Sequence, residues 1–210
     1  MDSEARILAC VKAAVEDLKL DSPSDEAISN IIGLGLREAI DSLFPGADEA
    51  LHHNIVNRYR VHYFDESRTP SQLFEGAREV IETLVDRDYL LAVATGKGRK
   101  GLNMVLEATG LKNYFHITRC ADEAFSKPHP EMLEQILDEL GVFPYEALMI
   151  GDTEYDLQMA RSAGMPSLAV CYGVHAAERL WRHDPMDCLE SVTDIPPWLQ
   201  RLEQHSELAG

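Results

Sequence analysis

The run Ala147-Leu148-Met149-Ile150 stops abruptly at Gly151 and gives way to Asp152 and Asp156, four residues apart. A short, uninterrupted apolar run between polar turn residues is the pattern of a strand covered on both faces, which means an interior strand of a parallel sheet. Gly151 lets the chain turn sharply, Thr153 is placed to cap a helix running to about Ala163, and Gly164 with Pro166 ends it. In open α/β sheets ligands collect at the carboxyl ends of strands, so both aspartates should stand where a hard cation such as Mg²⁺ could be held by carboxylate oxygen. A surface turn with acidic capping residues would carry the same letters. The assignment therefore depends on what the rest of the chain brings to the same place.

Two patterns divide the chain. Before Pro70 the apolar residues recur at helical spacing, starting with Ile7, Leu8, Val11, Val15 and Leu18. Breaks at Asp21-Ser22-Pro23, Gly33 to Gly35 and Pro45-Gly46 predict four helices: from Ser3, from Ser24 to Ile32, from Leu36 to Phe44, and from Asp48 to about Phe64. After Pro70 helix and strand alternate. Helices are expected over Gly76 to Val85, Arg99 to Ala108, Pro130 to Leu140 and 153 to 163. Buried strands are expected over Tyr89 to Ala94, Phe115 to Thr118, Ala147 to Ile150 and Ser167 to Cys171. A short helix near Ala177, a strand near Cys188 and a helix after Pro197 complete it. Such alternation means a parallel sheet with right-handed crossovers. The expected organisation is a helical domain over residues 4–70 and an α/β domain over 71–210, hinged by a protease-sensitive stretch between Asp65 and Leu73.

Charge limits the partners. With 19 basic and 36 acidic residues the formal net charge is −17, which opposes binding to duplex nucleic acid or an anionic membrane. No stretch has the roughly 20 apolar residues of a membrane span, and a cytoplasmic location is the expectation. Cys10, Cys120, Cys171 and Cys188 lack metal-ligand spacing and are expected as buried thiols.

Three strand ends carry candidate chemistry. Thr95 follows the apolar run Leu90 to Ala94, where its hydroxyl can bond an anion, with Gly96 next to it. Lys127 lies in Ser126-Lys127-Pro128-His129-Pro130, whose prolines restrict the loop that aims the ammonium. Asp152 and Asp156 supply the cation site. A hydroxyl, an ammonium and metal-binding carboxylates around one crevice suit phosphoryl chemistry, which is catalysed mainly by positioning and charge neutralisation. A receiver domain groups similar residues, but its acidic residues precede the Thr and Lys in the chain. Here they come after both.

The ordered set Val93-Ala94-Thr95-Gly96, Ser126-Lys127-Pro128-His129-Pro130 and Ile150-Gly151-Asp152-Thr153-Glu154-Tyr155-Asp156 resembles motifs two, three and four of the haloacid dehalogenase superfamily. It is most similar to the phosphoglycolate phosphatase-like branch. Ile32-Gly33-Leu34-Gly35-Leu36 through Phe44-Pro45, and Leu73-Phe74-Glu75-Gly76-Ala77, resemble that branch's inserted helical cap and its return to the core. The resemblance implies a Rossmann-like parallel-sheet core with a helical cap and a Mg²⁺-dependent phosphatase of small phosphate esters acting through an aspartyl-phosphate. Thr95, Gly96 and Lys127 would bind the phosphoryl group, Asp152 would be a metal ligand, and Asp156 would support the metal or orient Lys127. A sugar-phosphate mutase or a 2-haloacid dehalogenase is the alternative within the superfamily; the latter needs no metal, so the paired aspartates favour phosphate.

One departure bears on all of this. Family members open with an apolar strand ending in Asp-x-Asp-x-Thr, whose first Asp is the nucleophile and whose second is the general acid and base. The opening Met1-Asp2-Ser3-Glu4 resembles the family's entry into the first cap helix, just past that motif, and Asp86-Arg87-Asp88 precedes its apolar run instead of ending one. The expectation is a core without its first strand: a start at an internal Met of a longer protein, a sheet closed around the gap, or a catalytically inactive anion-binding or regulatory descendant. The first is favoured. The cap's basic residues Arg37, His52, His53, Arg58, Arg60 and His62 are the loose candidates for substrate selection.

Overall fold

The computed structural model describes residues 1–65 and 72–207. Four helices come first: α1 (Glu4–Asp17), α2 (Asp25–Asn30), α3 (Leu36–Leu43) and α4 (Glu49–Tyr63). Their starts are set by local chemistry. Ser24 Oγ accepts the Ala27 N–H at 3.1 Å and Asp48 Oδ1 accepts the Leu51 N–H at 2.8 Å, the side-chain caps that satisfy otherwise orphaned first-turn donors. Val11, Val15 and Ile28 are buried together against Ile7, Leu8 and Tyr59, so the helices have an apolar core of their own.

The remainder alternates α5 (Ala77–Asp86), β1 (Ala92–Thr95), α6 (Arg99–Thr109), β2 (Ile117–Cys120), α7 (Glu131–Leu140), β3 (Met149–Gly151), α8 (Glu154–Ser162), β4 (Ser167–Val170), α9 (Ala177–Leu180), β5 (Cys188–Leu189) and α10 (Ile195–Glu207). Every strand pair is parallel. The last helix starts earlier than expected because Pro196 and Pro197 occupy its first turn, where a missing N–H costs nothing. The Asp86-Arg87-Asp88 turn links α5 to β1, with Asp88 left-handed at φ 60°.

The sheet is in two pieces. β1 pairs with β2, and β3, β4 and β5 form the other piece; β1 and β3 are not hydrogen-bonded to one another. This changes the burial expected of two strands. All four residues of β4 are buried, whereas Ala92 of β1 is exposed, its next three residues are half-buried, and so are Met149 and Ile150 of β3. The cause is a cavity of about 1110 Å³ that reaches from Val93 and Ala94 on one edge to Met149 and Ile150 on the other.

A second correction concerns the cysteines. Cys10 and Cys120 are buried free thiols, but Cys171 and Cys188 are joined in a disulfide, with Cα atoms 6.0 Å apart. The parallel pairing of β4 with β5 brings them together, and the Cys171 N–H donates to the Leu189 carbonyl at 2.8 Å. A separation of 17 residues hid that adjacency.

The chain start is tied down: the Asp2 N–H donates to the Gln72 carbonyl at 2.8 Å in an antiparallel bridge. This bridge sets the segment ahead of α1 beside the segment that leads into α5. The expected hinge at 65–73 falls largely on 66–71, outside the described residues. Among the described residues no helix is long and apolar enough to cross a membrane.

Candidate active site

Thr95, Gly96, Lys127, Asp152 and Asp156 all line the mouth of the large cavity. β1 delivers Thr95, whose Oγ1 accepts the Lys97 N–H at 3.2 Å and so shapes the turn leaving the strand. The loop between α2 and α3 descends onto this turn. A Cβ on Gly96 would lie 2.4 Å from the Leu34 carbonyl oxygen and 2.7 Å from that of Gly33, so only glycine allows the two backbones this approach. The Gly35 N–H donates to Ser126 Oγ at 2.7 Å, fixing the same loop to the segment that carries Lys127.

Lys127 and Asp156 form a buried ion pair, Nζ to Oδ1 2.5 Å, each side chain 6% exposed. The other carboxylate oxygen of Asp156 accepts from Thr153 Oγ1 at 2.6 Å and from the Thr153 N–H at 3.2 Å, closing the capping box of α8. Asp156 thereby orients Lys127 and starts the helix at once. Asp152 is differently placed. Its Oδ2 accepts the Val174 N–H at 3.1 Å, its carbonyl accepts the His175 N–H at 3.1 Å, and Gly173 passes so close that a Cβ there would lie 2.2 Å from the Asp152 Cβ. Burial first, then the Asp156 charge, push the Asp152 carboxyl above the ordinary carboxylate range. Asp152 is thus a desolvated carboxylate with no cationic side chain in ion-pair contact among the described residues, an arrangement that a bound cation would relieve. Among those residues no group of three or more His, Cys, Asp or Glu is gathered into a metal cage. A cation here would draw on Asp152 together with water and phosphate oxygens, as Mg²⁺ commonly does.

Sequence reasoning missed the loop after β4. His175 is buried, and its Nδ1 accepts the Glu154 N–H at 3.0 Å, which places the ring proton on Nε2; burial lowers its pKa. Gly173, Val174 and His175 come after a fourth strand end, and the rule that sites gather at such ends was the available signal. Of the cap candidates, Arg37 and Arg60 line the cavity. Arg37 pairs with Glu49, His62 with Asp17, and His52 is buried beside the Arg37 carbonyl.

Glu154 opens α8 and is bound by Arg179 and His183. The Arg179 hydrogen bond, chiefly, lowers its pKa from 4.5 to about 2. A depressed carboxyl contributes stability that is fully present above the unfolded pKa and is lost as pH falls through the folded one. Glu154→Gln should therefore destabilise the chain at neutral pH, and the difference from wild type in urea midpoint should shrink between pH 4.5 and about 2. A difference that stays constant over that window would remove the ion pair as its source.

Against this geometry, comparison with known proteins is direct. The family model for haloacid dehalogenase-like hydrolases matches residues 1–170. A probable phosphatase, IndB, of Dickeya dadantii (strain 3937) is 32% identical over 200 residues, covering 93% of this chain and 86% of the relative. A phosphoglycolate phosphatase of Colwellia psychrerythraea is 24% identical over 209 residues, covering 96% and 92%. The crystal structure of a predicted phosphoglycolate phosphatase from Haemophilus somnus 129pt superposes with a TM-score of 0.83 at 23% identity, covering 94% of this chain and 92% of that one. The chain belongs to the haloacid dehalogenase-like hydrolases, in their phosphoglycolate phosphatase-like branch.

Proposed function

We propose that this site is the phosphoryl-holding and cation-holding part of a phosphatase acting on small phosphate esters, with residues 4–70 as a cap and 71–210 as the core. The observation that carries the reading is the convergence of Thr95, Lys127 and Asp152 on one cavity, with Lys127 held at 2.5 Å by Asp156. Thr95 and the Gly96 turn would bind phosphoryl oxygens, and Lys127 would meet them as a point charge kept in place by Asp156. Asp152 would hold Mg²⁺, which supplies charge neutralisation at the phosphoryl oxygens. The cap loop at Gly33 to Gly35, pressed on Gly96, would limit water and ester size. Names of relatives, a phosphoglycolate phosphatase and a probable phosphatase, point to the same chemistry.

Hydrolysis through an aspartyl-phosphate needs a nucleophilic carboxylate facing Thr95 and Lys127. We place it on a strand seated between β1 and β3 and ending in Asp-x-Asp. The 210-residue chain by itself should hydrolyse a panel of phosphate esters negligibly. A form carrying such a strand ahead of Met1 should show Mg²⁺-dependent turnover that Thr95→Ala or Asp152→Asn removes. Substantial turnover by the purified 210-residue chain, with contaminating phosphatases excluded, would overturn the assignment. Turnover in neither form would favour the second reading, an anion-binding protein without catalysis.

A further inference from the structure

The disulfide between Cys171 and Cys188 closes a loop, residues 172–187, that runs from the end of β4 to the start of β5. That loop holds the candidate cation site from behind. Gly173 lies against the Asp152 side chain, the Val174 N–H donates to Asp152 Oδ2 at 3.1 Å, and the His175 N–H donates to the Asp152 carbonyl at 3.1 Å. His175 Nδ1 also accepts the Glu154 N–H at 3.0 Å, and Arg179 pairs with the Glu154 carboxylate at the start of α8. The loop's own anchorage is slight by comparison. β5 has two residues and stands at the outer side of its sheet piece, held to β4 by a short ladder. Leu180 fixes the middle of the loop against Leu157 and Ala169. Cys171 stands two residues before Gly173, so the cross-link acts on the part of the loop nearest Asp152.

Accessibility separates this pair from the other cysteines. Cys10 and Cys120 are 0% exposed, whereas Cys171 and Cys188 are half-buried and within reach of a small thiol. Exposed disulfides are the labile ones in thiol exchange, and buried thiols are inert. Taking the cation-holding reading of Asp152 as its basis, we propose that the Cys171–Cys188 disulfide is a redox-sensitive clip: oxidised, it sets the 173–175 backbone that orients Asp152 for a divalent cation, and reduced by a dithiol it loosens that backbone and weakens the cation site. In the reduction a thiolate of the dithiol attacks one cysteine sulfur, the S–S bond breaks, and the other cysteine leaves as a thiolate. The second thiol of the reductant then displaces the first cysteine from the mixed disulfide. The pair gains two electrons and two protons, and the dithiol becomes a disulfide. Reduction leaves the β4–β5 ladder, the packing of Leu180 and the hydrogen bond from Trp198 Nε1 to Asp187 Oδ2 in place. The response is therefore local to the start of the loop.

The test compares the 210-residue chain before and after treatment with dithiothreitol. Alkylation in denaturant should label two cysteines before reduction and four after it. On reduction the amides of Val174 and His175 should exchange about tenfold faster while those of Leu168 to Val170 in β4 stay unchanged. Calorimetric titration with MgCl₂ should show affinity weakened by about tenfold, the low end of the loss seen when the groups orienting a metal ligand are disturbed. The double variant Cys171→Ser with Cys188→Ser should match the reduced chain and no longer respond to dithiothreitol. Four cysteines labelled before reduction, Val174 and His175 exchange that reduction does not change, or Mg²⁺ affinity equal in the two forms would each overturn the clip and leave the cation reading standing. An exchange response without Mg²⁺ binding in either form would overturn the cation reading of Asp152, and the regulatory role with it.

Discussion

Lys127→Ala should lower the unfolding free energy by about 3–5 kcal/mol, the usual consequence of removing one partner from a buried ion pair. Asp156 is buried, and its three described donors are Lys127 Nζ, Thr153 Oγ1 and the Thr153 N–H. Taking away the ammonium leaves a desolvated carboxylate with hydrogen bonds but no counter-charge. Against a domain stability of about 5–15 kcal/mol that loss is large enough to obscure any binding effect. Asp156→Ala should be comparably damaging because it strands the ammonium. The double variant Lys127→Met with Asp156→Leu should recover most of the loss, since apolar replacements of similar volume often match or exceed a buried ion pair. The second aspartate should behave in the opposite way. Asp152 has a raised pKa, chiefly from burial, so its ionised form is a burden on the folded state at neutral pH. Asp152→Asn should stabilise the chain slightly, keep the Val174 hydrogen bond through its amide oxygen, and weaken Mg²⁺ binding sharply. Urea melts and Mg²⁺ titrations of the two single variants decide the matter. Equal destabilisation by Lys127→Ala and Asp152→Asn would remove the contrast between the two aspartates.

The contrast between those aspartates marks how far the sequence could be read. The apolar run, the glycine and the two carboxylates were enough to place a strand end and a helix start, because each depends on local chemistry: Thr153 and Asp156 cap α8 with hydrogen bonds spanning three residues. The different surroundings of Asp152 and Asp156 were not legible in the local pattern. They depend on Lys127, 29 positions before Asp156, and on the backbone of Val174 behind Asp152. The same holds for the glycines between α2 and α3. Gly33 and Gly35 read as punctuation between helices, yet Gly33 lies where a Cβ would come within 2.7 Å of Thr153 Oγ1, and Gly35 donates to Ser126. They allow the close approach of the loop between α2 and α3 to the strand ends of the sheet, which no local pattern records. Strand boundaries slipped for a related reason. Tyr89 to Leu91 are apolar enough to extend β1 and Ala147 and Leu148 to extend β3, but ladders begin only where a neighbour pairs, at Ala92 and Met149.

The gap between β1 and β3 leads to the second large effect. Seating an apolar strand between β1 and β3, joined ahead of Met1, should raise the melting temperature by on the order of 10 °C. The cavity of about 1110 Å³ leaves Val93, Ala94, Met149 and Ile150 half-buried at its walls, although the equivalent residues of β4 are fully buried. A strand there would bury side chains on both faces at about 1.5–3 kcal/mol for each large apolar one. It would also pair backbone groups on both edges at about 0.5–1.5 kcal/mol net per hydrogen bond. Ordering the added residues costs about 1–2 kcal/mol each. The balance stays favourable because the segment gains partners on four sides and completes the burial of β1 and β3 as well. Amide hydrogen exchange locates the gain. In the 210-residue chain the amides of Ala92 to Thr95 should exchange faster than those of Leu168 to Val170, and the added strand should bring both sets to similar protection. An unchanged melting temperature, together with β1 amides that are already as protected as those of β4, would show that the two sheet pieces are stable as they stand and that the cavity has another purpose.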